Sequence, residues 1–306
     1  MIFTFLRTSA ICAAMAFASW SGFAIAQTNV SQQLISETRS DAAERINLSS
    51  KLAMLAIQGS VSSCAANSSA TPDHHKSLLA NTKYEFERIL GALQKGDEEL
   101  NIHSQEDNKK ISGRIEAIRT NWAPLSVAHS TVTGEDYERL HYLDHLIDNF
   151  SKRTLLLGGI LTGNINSIYS NPFEMTYADT MLINIAANQR ILSQRLMLEA
   201  CYIWSGFHPE AAREELEGNM GFFENAVMAL RDGMPELSIE PAPTQEILSV
   251  IDQVLSHWDN MRPAYSALVE GKNLTQGERT ILLQEFEASA EQLNLLVASY
   301  VKYATR

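Results

Sequence analysis

The chain has 306 residues, with 24 Lys and Arg against 36 Asp and Glu, a formal charge of −12. The length suits about two domains, and 45% hydrophobic with 20% charged residues excludes wholesale disorder. The acidic balance excludes a nucleic-acid-binding surface and a polybasic membrane patch, so no nucleic-acid partner is expected.

Residues 1–26 have the pattern of a secretory leader. Arg7 is the only charge, an apolar run extends from Ala10 through Ile25, and Ala24-Ile25-Ala26 fits the small-x-small cleavage rule. The expectation is cleavage near Gln27 and export to the periplasm, with an uncleaved anchor helix as the alternative. Removing Arg7 leaves 24 − 1 = 23 basic groups against 36 acidic ones, a charge of −13. No later run reaches the roughly 18 apolar residues of a membrane span.

Beyond the leader, the first unit (27–165) is expected to form helices over 31–66, 74–101, 106–130 and 134–165. The second (174–306) is expected to form them over 174–206, 209–234, 243–271 and 275–304. Thr71-Pro72-Asp73, Asn171-Pro172, His208-Pro209 and Gly233-Met234-Pro235 punctuate the breaks. Apolar spacing is helical: Ile111, Ile115 and Ile118 share one face, as do Ile247, Ile251 and Val254.

The two units repeat each other at an offset of 137. Ile46-Asn47-Leu48 returns as Ile183-Asn184-Ile185, Cys64 as Cys201, Phe86-Glu87 as Phe223-Glu224 and Gly96 as Gly233. Between Phe86 and Ile102, eight of seventeen positions are identical in this register. Trp122 and Trp258 match at 136. A repeat this long sets the architecture: an all-α protein of two tandem up-down-up-down four-helix bundles, with the joint near 166–174.

The first helix of the second unit has two faces. At 100° per residue, Leu182, Gln189, Leu192 and Leu196 point to the bundle core. Arg190 points away from it, beside Ala186, Ser193, Gln194, Met197 and Cys201, so this second face suits another helix. The first unit repeats it with Ser49, Ala53, Ala56, Ile57, Ser60 and Cys64. Ala53 and Gln58 stand where the second unit has Arg190 and Arg195.

The pattern Asn-x-Ala-x-x-Gln-Arg-x-Leu-Ser-Gln-Arg, from Asn184 to Arg195, resembles the signature of the PilJ-like domain, the N-terminal sensor domain of type IV pili methyl-accepting chemotaxis transducers. It is similar to the periplasmic sensor domain of nitrate/nitrite sensor kinases. The resemblance covers both units, but the motif is intact only in the second. Ala187 stands where Gly is usual and Ile191 where Met is usual. The resemblance implies a sensor bundle in which Arg190 contacts a small oxyanion of the nitrate or nitrite kind. Arg195 would be the second arginine of the box, with Asn184 and Asn188 in support. A guanidinium suits the task because it keeps its charge and presents forked donors to planar oxyanions. Signalling would pass through a membrane receptor or another protein partner. The alternative is a docking or structural module with no small ligand.

Cys64 and Cys201 are the two cysteines after the leader. They suit an intramolecular disulfide if the two first helices pack in parallel. Two free thiols, or a pair joining a homodimer, are the other possibilities. His141 and His145 have i,i+4 spacing but no clear third ligand, and His74-His75 is placed in a loop. No metal or other cofactor is therefore expected. The chain has no Gly-x-Ser-x-Gly, phosphate loop, Cys-x-x-Cys or His-Glu-x-x-His, so no catalytic residue is assigned and no enzyme is expected.

Overall fold

The computed structural model describes residues 12–68, 70–132, 137–169 and 176–306. Within them lie eight α-helices and no strand: α1 (Cys12–Ser68), α2 (Pro72–Lys95), α3 (Lys109–Val132), α4 (Tyr137–Tyr169), α5 (Tyr177–Ser205), α6 (Pro209–Asp232), α7 (Gln245–Val269) and α8 (Gln276–Ala304). The expected leader lies partly outside the described residues; from Cys12 its backbone is helical and continuous with α1. The expected joint is likewise only partly described, and α4 runs on into it as far as Tyr169. No helix among the described residues is long and apolar enough to cross a membrane.

Local chemistry sets the helix ends. Thr176, Thr244 and Thr275 cap α5, α7 and α8, each accepting a backbone N–H three residues on. At α8 Glu278 reaches back to the Thr275 N–H, completing a capping box. That hydrogen bonding also holds the Glu278 carboxyl below its usual pKa. The second helix of each unit stops short of its expected end, at Lys95 and at Asp232. Gly96 and Gly233 follow with φ of 85° and 81°, a backbone conformation that a β-carbon disfavours. Each then leads into the same small loop. Asp97 bridges Ile102 around a 3-10 turn, and Met234 bridges Ile239 around another. Asn101 and Ser238 take the left-handed conformation at equivalent places. The offset of 137 seen in sequence is thus also an offset in backbone geometry.

Packing contacts fall into two sets. In the first, α1 touches α2 and α4, and α3 touches α2 and α4. In the second, α5 touches α6 and α8, and α7 touches α6 and α8. Trp122 stacks on Phe86 at 3.7 Å between ring centroids, and Trp258 lies 5.0 Å from Phe223, all four fully buried or nearly so. The sets meet mainly where α1 packs along α5, with a smaller contact between α1 and α8.

A buried ionic cluster anchors the first set. Arg45 on α1 is fully buried, with Nε 2.6 Å from Asp41 and Nη1 3.4 Å from Glu106. Its remaining donors reach the carbonyls of Leu93 and Ser104. The Tyr169 hydroxyl donates to Glu106 at 2.8 Å, tying in the end of α4. The second unit has Leu182 and Ala178 where the first has Arg45 and Asp41.

Candidate functional site

The seam between α1 and α5 brings repeat-equivalent positions together, so the two helices run parallel. Cys64 and Cys201 are joined there as a disulfide, with 6.4 Å between Cα atoms, an ordinary span for one. Ala186, Ser193, Gln194, Met197 and Cys201 are all buried, although they point away from the core of their own set. Ala53 and Ser60, placed on the second face of α1, touch α4 of their own set. Gly158 on α4 approaches so closely that an added β-carbon would lie 3.0 Å from that of Ala53. Ser60 hydrogen-bonds Ser151 at 2.7 Å. Small residues on a helix admit close neighbours on more than one side, and α1 packs against α2, α4 and α5, with smaller contacts to α8 and α3.

Arg190 lies in the seam, 4% exposed. Its Nη2 donates to Ser50 Oγ at 2.9 Å and to the Asn47 carbonyl at 3.2 Å, both on α1. Nη1 reaches Asn294 Oδ1 on α8 at 3.5 Å, and the buried Nε has no hydrogen-bond partner. Among the described residues, no carboxylate lies within 4.0 Å of the guanidinium, and Glu44 and Glu85 act on it only from farther off. Burial lowers its pKa to about 10, so at neutral pH it stays charged. Burial also raises the pKa of the Glu44 carboxyl, against the pull of Asn47, Arg190 and Lys51.

The other three residues assigned to the oxyanion do not converge on Arg190. Arg195 turns to α6, with Nη2 3.3 Å from Glu215 and Nε 3.6 Å from Glu199. Asn184 donates to the Thr180 carbonyl and accepts from Asn166 on α4 at 3.1 Å. Asn188 is exposed. Their angular separation on the helix explains this, because α1, α4 and α6 each cover a different flank.

Arg195 instead borders a cleft of about 370 Å³ between the two sets. Ile57, Leu155, Leu198 and Phe207 supply apolar walls, and Glu199 is its buried acid. Asn219 donates to Glu199 Oε1 at 2.7 Å, whereas Oε2 receives no hydrogen bond. Burial raises the Glu199 carboxyl to about 8; the nearby Glu215 adds to the rise and Arg195 opposes it. His129, fully buried against Trp122, moves the other way, and burial lowers it to about 3. Gly59 leaves room for this ring, since an added β-carbon would come within 2.5 Å of it.

These two groups predict the shape of the stability curve. Glu199 holds a proton in the folded protein up to about pH 8 but in the unfolded chain only to 4.5, so stability falls as pH rises between them. His129 stays neutral in the folded protein down to about pH 3, against 6.5 unfolded, so stability falls as pH drops through that window. The slopes, each about 1.4 kcal/mol per pH unit, cancel between about 4.5 and 6.5. The expected result is a plateau there with losses on both sides. Urea unfolding of wild type and Glu199→Gln across pH 4 to 8 checks it. The variant should lose the fall above pH 6.5, and a parallel fall in both proteins would refute the assignment.

Several groups here carried little sequence signal. Arg45 could have been found from the repeat, because Leu182 at the equivalent position marks an inward-facing site. Glu199 aligns with Ser62 and looks like one more helical glutamate. The His141 side chain lies outside the described residues. His145 packs edge-on against Phe207 and His208.

Helices in two repeated sets, joined along parallel first helices around a buried cation, make up an all-helical bundle protein with a built seam. Residues 175–293 match the family described as PilJ, type IV pili methyl-accepting chemotaxis transducer N-term. That family is sensory and non-catalytic. The match takes in α5 to α7 and most of α8. No curated protein and no solved structure matches the chain.

Proposed function

We propose that the protein is a periplasmic sensory module of two tandem up-down-up-down four-helix bundles that reads a small oxyanion at the α1–α5 seam and signals through a protein partner. The observation that carries this reading is the Arg190 guanidinium, buried and charged, with no carboxylate among the described residues in ion-pair contact. A buried charge normally has a counter-charge beside it. A small oxyanion that displaced Ser50 and Asn47 from the guanidinium would supply one and engage the unpartnered Nε. Any such exchange changes what α1 and α5 hold between them, and small shifts of packed helices are a common means of signalling. The family match of residues 175–293 supports the sensory class.

Thermal unfolding with nitrate, nitrite, sulfate and phosphate tests the reading. An anion at about a hundredfold its Kd should add about 2.7 kcal/mol, raising Tm by roughly 5 °C. Arg190→Ala should abolish the rise, and Arg190→Lys, which keeps the charge without the fork, should weaken it. A second reading, a docking module with no small ligand, is favoured by the dispersal of Arg195, Asn184 and Asn188 away from Arg190. No shift with any anion would decide for it, whereas a shift that survives in Arg190→Ala would refute Arg190 as the site.

A further inference from the structure

Two helices from opposite ends of the chain bring three metal-ligating side chains together. His74 and His75 were expected in a loop, but Pro72 starts α2 early and places both in its first turn. Glu287 stands opposite on α8. Its two carboxylate oxygens divide between the rings. His74 Nε2 lies 2.9 Å from Oε2, and His75 Nδ1 lies 3.6 Å from Oε1. One ligand atom from each of the three residues falls within 4.8 Å of the other two. Around a tetrahedral ion with bonds of about 2.0–2.1 Å, donors sit about 3.3–3.4 Å apart. The two His–Glu distances, one to each carboxylate oxygen, lie on either side of that value.

The surroundings fit ligation as well. The outer nitrogen of His75, Nε2, lies 3.5 Å from the Thr71 hydroxyl. Ligating histidines usually have such an anchor on the nitrogen facing away from the ion. The His75 side chain is 4% exposed, so its ring is held in place by packing. His74 is half exposed and Glu287 about one-third, which leaves an entry path and room for water as a fourth ligand.

We propose that His74, His75 and Glu287 bind one divalent transition-metal ion of the zinc class, tying α2 of the first set to α8 of the second. Two imidazoles with a carboxylate suit such ions, whereas calcium and magnesium prefer oxygen ligands throughout. The ion would join the two sets at a second point, independent of the disulfide and of any anion at Arg190.

Calorimetric titration of the untagged protein with zinc chloride, with circular dichroism as a control for helix content, tests the site. The expected result is one ion bound per chain and a higher melting temperature, with magnesium unable to compete. Glu287→Gln and His74→Ala, both outside the core, should each weaken zinc binding at least tenfold while leaving helix content unchanged. Absence of zinc binding, or binding that persists unchanged in both variants, would overturn the proposal and leave a simple imidazole–carboxylate pair.

Discussion

Reducing the Cys64–Cys201 disulfide is expected to cost the protein about 4–5 kcal/mol of stability. The bridge spans a sequence separation of 137, so it removes a very large loop from the unfolded ensemble. That entropic effect grows with the logarithm of loop length, which places this bridge near the top of the usual range. The bridge also fastens the seam in which Arg190 is desolvated, so its loss should loosen the packing around that guanidinium. Urea unfolding with and without reductant, beside Cys64→Ser/Cys201→Ser, measures the effect. A drop in Tm on the order of 10 °C is expected. A loss below about 1 kcal/mol in both experiments would show that the seam holds without its covalent link. Intact mass under non-reducing conditions separates this bridge from one between two chains.

Arg45→Ala is expected to cost about 3–5 kcal/mol, although Arg45 lies outside every candidate ligand site. The change would leave Asp41 and Glu106 buried without their counter-charge, and it would break the contacts that hold α1 to Leu93 and Ser104. The repeat supplies the matching control. Arg45→Leu alone installs the second unit's residue beside two stranded carboxylates and should be nearly as harmful as Arg45→Ala. Adding Asp41→Ala and Glu106→Gln should recover most of the loss, because an ion cluster replaced as a whole costs little, whereas a half-removed one costs much. Chemical unfolding of the three proteins checks this. Equal stability of Arg45→Leu and wild type would mean that the carboxylates find water or other donors when the arginine is gone.

Most of the helices could be read from the sequence because they rest on local rules. Apolar spacing, threonine and proline at helix starts and glycine at helix ends act over a few residues. The 137-residue offset then doubled the information at each position. Where the expected bounds missed, as at Lys95 and Asp232, the cause was a glycine whose left-handed backbone ends the helix early. The histidine pair moved from loop to helix for an equally local reason, the proline at the first helical position.

The candidate sites depend on partners distant in sequence. Periodicity was enough to turn Arg190 away from its own core. That it would lie against Ser50 and Asn47 depended on how α1 and α5 come together. The same packing sent Arg195 to Glu215 and left Asn188 in solvent, dividing a motif that is continuous along the chain. Glu287 is 213 residues from His74, and nothing local to either marks the other. Local sequence thus carried the helices, their caps and the duplication, since those follow from interactions within a turn or two. Which buried charges meet, and which are left without a partner, was settled by helix packing, because the desolvation that gives a charge its energetic weight exists only once distant segments exclude water from it.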